Sequence, residues 1–427
     1  MPTDATLTGA FHYRDGHLHC EDIAVEQLVV EHGTPLYVYS ATEIAERYRA
    51  FDAAFAPLDR MIAYSVKANG NLSVLRLLRD LGAGADIVSA GELHRAQLAG
   101  IPSERIVFSG VGKTVAELAA ALDAGIYSFN VESEGELRSL AELAETLGKR
   151  APIALRVNPD VETATPHHYT STGHKQTKFG IPYTEARGLY RLAATLPGIH
   201  VRGIDAHIGS QIVDVEPYAL SLQRILELVD LLRADGIELE FIDVGGGFGI
   251  SYDEETTPPA SAFADVIRPL VEPSGLRLLL EPGRFIVGPA GVLLARVVYV
   301  KEMGGKTFVI TDAGMNDLLR PSHYASYHRV EPAERNAGRA ERVVDVVGPI
   351  CESGDFLALD RPIEMPEPGE LIVIGTTGAY GFSMASTYNA RTRPAEVLVE
   401  GDTHRLIRPR ETLDDLVRGE VELLDQD

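Results

Sequence analysis

Lys67 stands in YSVKANGN, at the end of the apolar run Met61-Ile62-Ala63-Tyr64-Ser65-Val66. An amine at the end of a buried strand is a candidate nucleophile for a carbonyl carbon, whereas a lone surface lysine would simply be solvated. Farther along, AHIGSQ carries His207 and Ser210, DVGGGFGI carries Gly245, Gly246 and Gly247, and EPGR carries Glu281, Pro282, Gly283 and Arg284. Backbone N–H groups without side chains can approach an anion closely and form a nest for a phosphate, to which Ser210 adds a hydroxyl. Cys351, in CESGDF, is one of only two cysteines, with Cys20, so no disulfide framework is expected and a thiol is available for chemistry. PHHYTSTGH contains His167, His168 and His174, but the spacing sits on no expected helix and lacks a carboxylate pattern. That stretch reads as a mobile loop, and no metal site is expected.

A buried lysine, a phosphate cradle and a carboxylate have a joint explanation in pyridoxal 5′-phosphate. That cofactor needs an amine for its aldehyde, a site for its phosphate and an acid beside its pyridine nitrogen. Lys67 supplies the amine, the glycine row the cradle and Glu281 the acid. His207 offers a flat imidazole face for stacking on the ring.

These residues must be brought together by the fold. Between about residues 60 and 282, short β-branched runs alternate with longer amphipathic stretches, the pattern of repeated βα units. Eight strands are expected, Met61–Lys67, Ala85–Ser89, Arg105–Ser109, Tyr127–Glu132, Ile153–Asn158, Val201–Ile208, Glu240–Val244 and Arg277–Glu281, with helices over Ala116–Leu122, Glu134–Leu147 and Tyr218–Leu232. Eight strands close a barrel, whose active site lies at the C-terminal strand ends, and there the sequence places Lys67, Asp86, Arg156, Asn158, His207, the glycine row and EPGR. An open doubly wound sheet has no G-x-G-x-x-G turn after the first strand to support it. Beyond residue 290, strands at Val292–Val300, Thr307–Thr311, Arg342–Val347, Leu371–Ile374, Pro394–Val399 and Thr403–Arg408 follow one another without long helices. The expected architecture is thus α/β, a (β/α)8 barrel over 35–284 and an all-β domain over 285–427. Residues 1–34, with a hairpin-like stretch over Phe11–Leu18, are expected to pair with the β domain.

Composition limits the partners. With Lys+Arg 39 against Asp+Glu 62 the net charge is -23, which repels polyanions and makes nucleic acid and anionic membranes poor candidates. No stretch approaches the roughly 20 apolar residues of a membrane span, and the N-terminus MPTDATLTGA shows no basic or apolar leader, so a cytoplasmic setting is expected.

Taken in order, YSVKANGN, HIGSQ, DVGGGFGI, EPGR, DAGMNDLLRPSHY, GPICESGDFLA and GAYGFSMASTYNARTRP make the chain resemble the fold-type III pyridoxal-phosphate decarboxylases over nearly its whole length. The resemblance implies attachment of the cofactor to Lys67, stacking by His207, phosphate contacts from Ser210, Gly245 to Gly247 and the EPGR turn, and a pyridinium partner in Glu281. Asp86 and Arg156 become supporting residues. It further implies that Arg284, Arg320, Tyr324, Glu352 and Tyr380 hold the far end of the substrate, with Tyr380 also reaching the cofactor. Cys351 becomes the proton donor, delivered together with Glu352 from a neighbouring subunit of a head-to-tail homodimer. Two guanidiniums suit a carboxylate and one carboxylate suits an ammonium, so the far end of the substrate is itself an amino-acid centre, as in meso-diaminopimelate, and the product is L-lysine. Decarboxylases of the same fold acting on ornithine, arginine or carboxynorspermidine would leave Arg320 without a carboxylate. An alanine racemase is opposed by the glutamate of EPGR, and a non-catalytic carrier by the presence of Cys351 and the substrate arginines. The family more often has alanine and leucine where this chain has Ser65 and Val66, a departure expected to affect strand packing only.

Overall fold

The computed structural model describes residues 6–161, 178–253, 255–335 and 339–424. The chain divides into two compact units, one formed by Ala45–Ile250 and Thr256–Phe285, the other by Met1–Ile44, Ser251–Glu255 and Ile286–Asp427. His167, His168 and His174 lie outside the described residues.

The first unit is a closed parallel barrel of β1 (Arg60–Ser65), β2 (Gly84–Ile87), β3 (Ile106–Phe108), β4 (Ser128–Val131), β5 (Ala151–Asn158), β6 (Ile199–Asp205), β7 (Phe241–Asp243) and β8 (Arg277–Leu280). Closure comes from β8 pairing with β1 and β4 with β5. Every residue of β2, β3 and β4 is buried, as expected of strands covered on both faces. Met61, Ala63, Val107, Tyr127, Ala154, Phe241 and Leu279 form one apolar cluster inside the barrel. Gly203 makes room for it, because a Cβ there would lie 2.3 Å from the Phe241 ring. Four of the helices that follow the strands begin on side-chain caps: Asn71, Ser89, Thr114 and Ser133 accept from the backbone N–H of Ser73, Glu92, Glu117 and Glu136. Each such cap contributes about 1 kcal/mol and fixes where the strand-to-helix loop ends.

All eight expected barrel strands are present, with one shift of consequence. β1 ends at Ser65, and Lys67 sits in a single 3-10 turn, Val66–Ala68. His207 likewise follows the end of β6, and Glu281 the end of β8. Leaving the strand frees these side chains from the two-residue alternation that would otherwise fix their face.

The second unit is built on a sheet in the order Phe356–Glu364, Glu341–Val347, Lys306–Thr311, Gly291–Met303, Leu36–Ser40, Ala395–Glu400, Thr403–Arg408. Leu371–Ile374 pairs with Gly291–Met303 and with Val330–Pro332. The expected barrel boundary at residue 35 is corrected by this sheet. Leu36–Ser40 is buried at every position and lies between Gly291–Met303 and Ala395–Glu400, so the chain joins the barrel unit only from Ala45. The N-terminal hairpin pairs Phe11–Arg14 with His17–Cys20, and the N–H of Leu18 donates to the carbonyl of Ala333. Phe356–Glu364 and Val330–Pro332 escaped the sequence pattern because Asp360, Arg361, Pro362 and Pro332 interrupt their apolar alternation. Among the described residues no helix is long and apolar enough to cross a membrane.

Candidate active site

Inside the barrel unit, Lys67 Nζ lies 2.5 Å from Asp86 Oδ2, and the carboxylate is fully buried. Strand register accounts for the pairing. Ser65 stands opposite Asp86 across β1 and β2, and its hydroxyl lies 2.8 Å from Asp86 Oδ2 and 3.0 Å from the Glu281 carbonyl. Ser65 therefore touches the very oxygen that holds the amine, which corrects the expectation that this departure from the family affects packing alone. The EPGR turn packs directly on the lysine turn: Ser65 N–H donates to the Pro282 carbonyl, and a Cβ on Gly283 would lie 2.9 Å from Ser65 Cβ.

Around this pair the ends of neighbouring strands gather acids. Asp205 ends β6 opposite both Arg156 and Asp243, and Asp243 ends β7. Glu281 Oε1 receives Ser109 Oγ at 3.3 Å and Asn130 Nδ2 at 3.4 Å. Burial, together with the charges of Asp243, Asp86 and Asp205, pushes the Glu281 carboxyl well above the usual range, while Lys67 opposes the shift. Burial and Asp243 raise Asp205 in the same way. Arg156 Nη1 donates to Glu132 Oε1 at 2.9 Å, so the nearest guanidinium is already committed to another acid. The cluster thus holds protons that exposed carboxylates would release at neutral pH.

Asp243 gives this cluster a measurable consequence. Burial moves its pKa up to about 6, with Asp86 adding to the shift and the Gly245 N–H opposing it. A carboxyl raised on folding stabilises most below its unfolded value, and that contribution is lost as pH rises through about 6. Between about pH 5 and pH 8 the cofactor-free protein should lose on the order of 1 kcal/mol through this one group. Asp243→Asn keeps an acceptor for the Gly245 N–H and should remove that loss. Urea unfolding of parent and variant at both pH values checks it, and a parent–variant difference independent of pH would contradict it.

His207 is oriented by the glycine row. Its Nδ1 accepts from the Gly246 N–H at 3.1 Å, which leaves the proton on Nε2. Burial, reinforced by Arg156 and Lys67, holds its pKa well below the ordinary value, so the ring presents a neutral face. The Gly245 N–H is also engaged, donating to Asp243 Oδ1 at 2.9 Å. A Cβ on Gly246 would lie 2.3 Å from the Glu281 carbonyl oxygen, so this glycine is required for the two loops to meet. Arg284 Nη2 donates to Ser210 Oγ at 3.1 Å, placing a guanidinium and a hydroxyl together for an anion.

The residues present fit pyridoxal 5′-phosphate. Asp86 Oδ1, Asn130 Oδ1 and Asp205 Oδ1 are buried without a hydrogen-bond partner, an unusual density of unmet acceptors beside one amine. A cationic ring nitrogen answers an excess of buried acid, and the Arg284–Ser210 pair with the glycine loop answers a phosphate.

The β unit carries the other expected residues. Arg320 opens the short helix Arg320–Tyr324 and is buried, with Nη1 2.9 Å from Tyr252 OH and 3.0 Å from His328 Nε2, and Nη2 3.3 Å from Ser326 Oγ. Cys351 and Glu352 are exposed in the turn between Glu341–Val347 and Phe356–Glu364. The Cys351 N–H donates to Asn389 Oδ1 at 2.7 Å, and Asp355 anchors the turn by accepting from the N–H groups of Ile350 and Met315. Tyr388 hydrogen-bonds Glu352 through its phenol, which raises the phenol's pKa. A Cβ on Gly354 would lie 3.2 Å from Glu352 Oε1 and 3.5 Å from Ser322 Oγ, so the CESG turn packs on the helix that bears Arg320 and Tyr324. Tyr380 has φ +56, a left-handed conformation uncommon for a bulky residue.

With this geometry in place the chain can be compared with known proteins. The family described as pyridoxal-dependent decarboxylase, pyridoxal binding domain, matches residues 41–288. A diaminopimelate decarboxylase of Aquifex aeolicus is 49% identical over 412 residues, covering 96% of this chain and 97% of that protein. The chain belongs to the diaminopimelate decarboxylase family. The diaminopimelate decarboxylase of Neisseria meningitidis serogroup B is 49% identical over 407 residues, covering 95% of this chain and 98% of that one. A crystal structure of diaminopimelate decarboxylase from Helicobacter pylori complexed with L-lysine superimposes with a TM-score of 0.90 at 42% identity, over 94% of this chain and 100% of that chain.

Within this diaminopimelate decarboxylase fold, several residues of the acid cluster had a sequence signal that was not used. Asp205 and Asp243 end strands β6 and β7, and Asn130 lies near the end of β4, the same positional rule that singled out Lys67 and His207. Tyr252, His328, Tyr388 and Asn389 had none, since each is brought to its partner by loops distant in sequence.

Proposed function

We propose that this chain decarboxylates meso-2,6-diaminopimelate to L-lysine and carbon dioxide with pyridoxal 5′-phosphate, the last step of lysine biosynthesis, as a cytoplasmic homodimer with shared sites. The observation that carries the reading is the Lys67–Asp86 pair set beside EPGR in a cluster of buried acids whose Glu281 carboxyl is pushed well above the usual range. When bound, the cofactor supplies an electron sink for the pair released as the bond between the substrate α-carbon and its carboxylate breaks. Lys67 supplies the attaching amine, and Asp86 and Ser65 fix its position. His207 would offer its neutral face to the ring, and Ser210 with the Pro282-Gly283-Arg284 turn would hold the phosphate, with Tyr380 and the row Gly245 to Gly247 alongside, the N–H groups of Gly245 and Gly246 being given to Asp243 and His207. Glu281, whose carboxyl burial and the neighbouring acids push up, would share a proton with a ring nitrogen and stand as its counter-ion. Cys351 delivers a proton to the α-carbon once carbon dioxide has left.

Substrate choice rests on the β unit. Tyr252, His328 and Ser326 fix the Arg320 fork in one orientation, which is what bidentate capture of a carboxylate requires, and Arg284 is the second guanidinium. Glu352 answers the distal ammonium, with Tyr324 and Tyr380 beside it. The exposure of Cys351 and Glu352 supports their use by a second copy of the chain. Arg320→Ala should raise KM for meso-diaminopimelate about 10- to 100-fold, the cost of one lost charge-assisted contact, and leave the cofactor's visible spectrum intact. Steady-state kinetics checks this, and an unchanged KM would remove the argument for a distal carboxylate.

A further inference from the structure

At the end of the helix Val25–His32, two imidazoles and a carboxylate converge among residues that play no part in the chemistry above. His404 lies on Thr403–Arg408, the terminal strand of the β unit's sheet. Its Nε2 is 3.1 Å from Glu31 Oε2, and His32 Nε2 is 3.5 Å from Glu31 Oε1. The two rings meet edge to face with centroids 5.5 Å apart, and one donor atom from each of the three residues lies within 4.8 Å of the others. The His32 side chain is only 10% exposed, and its Nε2 is shielded from water without making a hydrogen bond. A shielded ring nitrogen that makes no hydrogen bond needs an explanation, and this one faces the Glu31 carboxylate at 3.5 Å.

We propose that Glu31, His32 and His404 form a binding site for a divalent transition ion of the zinc type. Two imidazole nitrogens and one carboxylate oxygen are a borderline-soft ligand set that favours zinc, cobalt(II) or nickel(II) over magnesium or calcium, which take oxygen ligands. Bonds of about 2.0–2.2 Å put tetrahedral ligand atoms roughly 3.4 Å apart, close to the separations Glu31 already makes with both rings. Small rotations of the rings complete the triangle, leaving the fourth position to water. The ion clips the end of the first helix to the strand Thr403–Arg408. Arg410 directs a guanidinium nitrogen to the carbonyls of His32 and Pro35.

The test uses the full chain loaded with its cofactor, with zinc counted by equilibrium dialysis and cobalt(II) as a spectroscopic probe at wavelengths longer than the cofactor's own absorption. The parent should bind one more equivalent of zinc than His404→Ala, and its tetrahedral cobalt bands should be lost in that variant. Glu31→Gln, a change at an exposed position, should weaken binding about tenfold with the fold undisturbed. Histidines elsewhere in the chain are common to parent and variants and cancel in the difference. Retained cofactor absorbance and unchanged decarboxylation by His404→Ala would show the effect to be local to this cluster. Equal zinc stoichiometry and identical cobalt spectra in parent, His404→Ala and Glu31→Gln would overturn the proposal.

Discussion

Lys67→Ala is expected to abolish the visible absorbance of the bound cofactor and to lower decarboxylation by at least about a thousandfold, since among the described residues Lys67 is the amine that meets the buried acid cluster. Lys67 meets Asp86 at 2.5 Å, within a cluster where Glu281 and Asp205 are already held protonated by burial and mutual repulsion. Removing the cation deepens the excess of acid, so the variant should also take up a proton that the parent does not. Absorbance titration with pyridoxal 5′-phosphate, a turnover assay and potentiometric comparison of parent and variant read the three effects. An unchanged visible spectrum in Lys67→Ala would sink the assignment of the amine.

Cys351→Ala should lower kcat by about 10²- to 10⁴-fold, the range of a lost general acid, while the spectrum of the bound cofactor stays as in the parent. The thiol is exposed on a turn pinned by Asn389 and Asp355, so its loss should not disturb folding. If the donor comes from a second copy, mixing Lys67→Ala with Cys351→Ala should restore about a quarter of parental activity, because in a symmetric mixed dimer one of the two sites is whole. No recovery on mixing, under conditions where the subunits demonstrably exchange, would place the thiol in the same chain as its lysine.

Much of this was legible in the sequence, for identifiable physical reasons. A parallel barrel buries its strands on both faces, so each reads as a short apolar run, and its helices stand out by apolar residues spaced three and four apart. Polar residues at strand ends then stand out, which is how Lys67, His207 and Glu281 were found. The same rule applied evenly would have reached Asp205 and Asp243, which end their strands as plainly. Ser65 was misjudged because its neighbour across the ladder, Asp86, is a matter of register, and register between β1 and β2 cannot be read from either strand alone. The partners of Arg320 and Cys351 lie on loops, where no periodicity links Tyr252 to His328 or Glu352 to Tyr388. Residues 36–40 fall inside the expected barrel range 35–284 because a buried five-residue strand carries no label for the sheet it joins.

The most direct test of the account is carbon dioxide release by the cofactor-loaded chain from meso-diaminopimelate, L-ornithine and L-lysine measured side by side, with the amine product identified. The account predicts L-lysine and carbon dioxide in equal amounts from meso-diaminopimelate, with kcat/KM for the other two lower by at least about a hundredfold, the worth of an unmatched buried guanidinium. Preference for L-ornithine or L-lysine would contradict it.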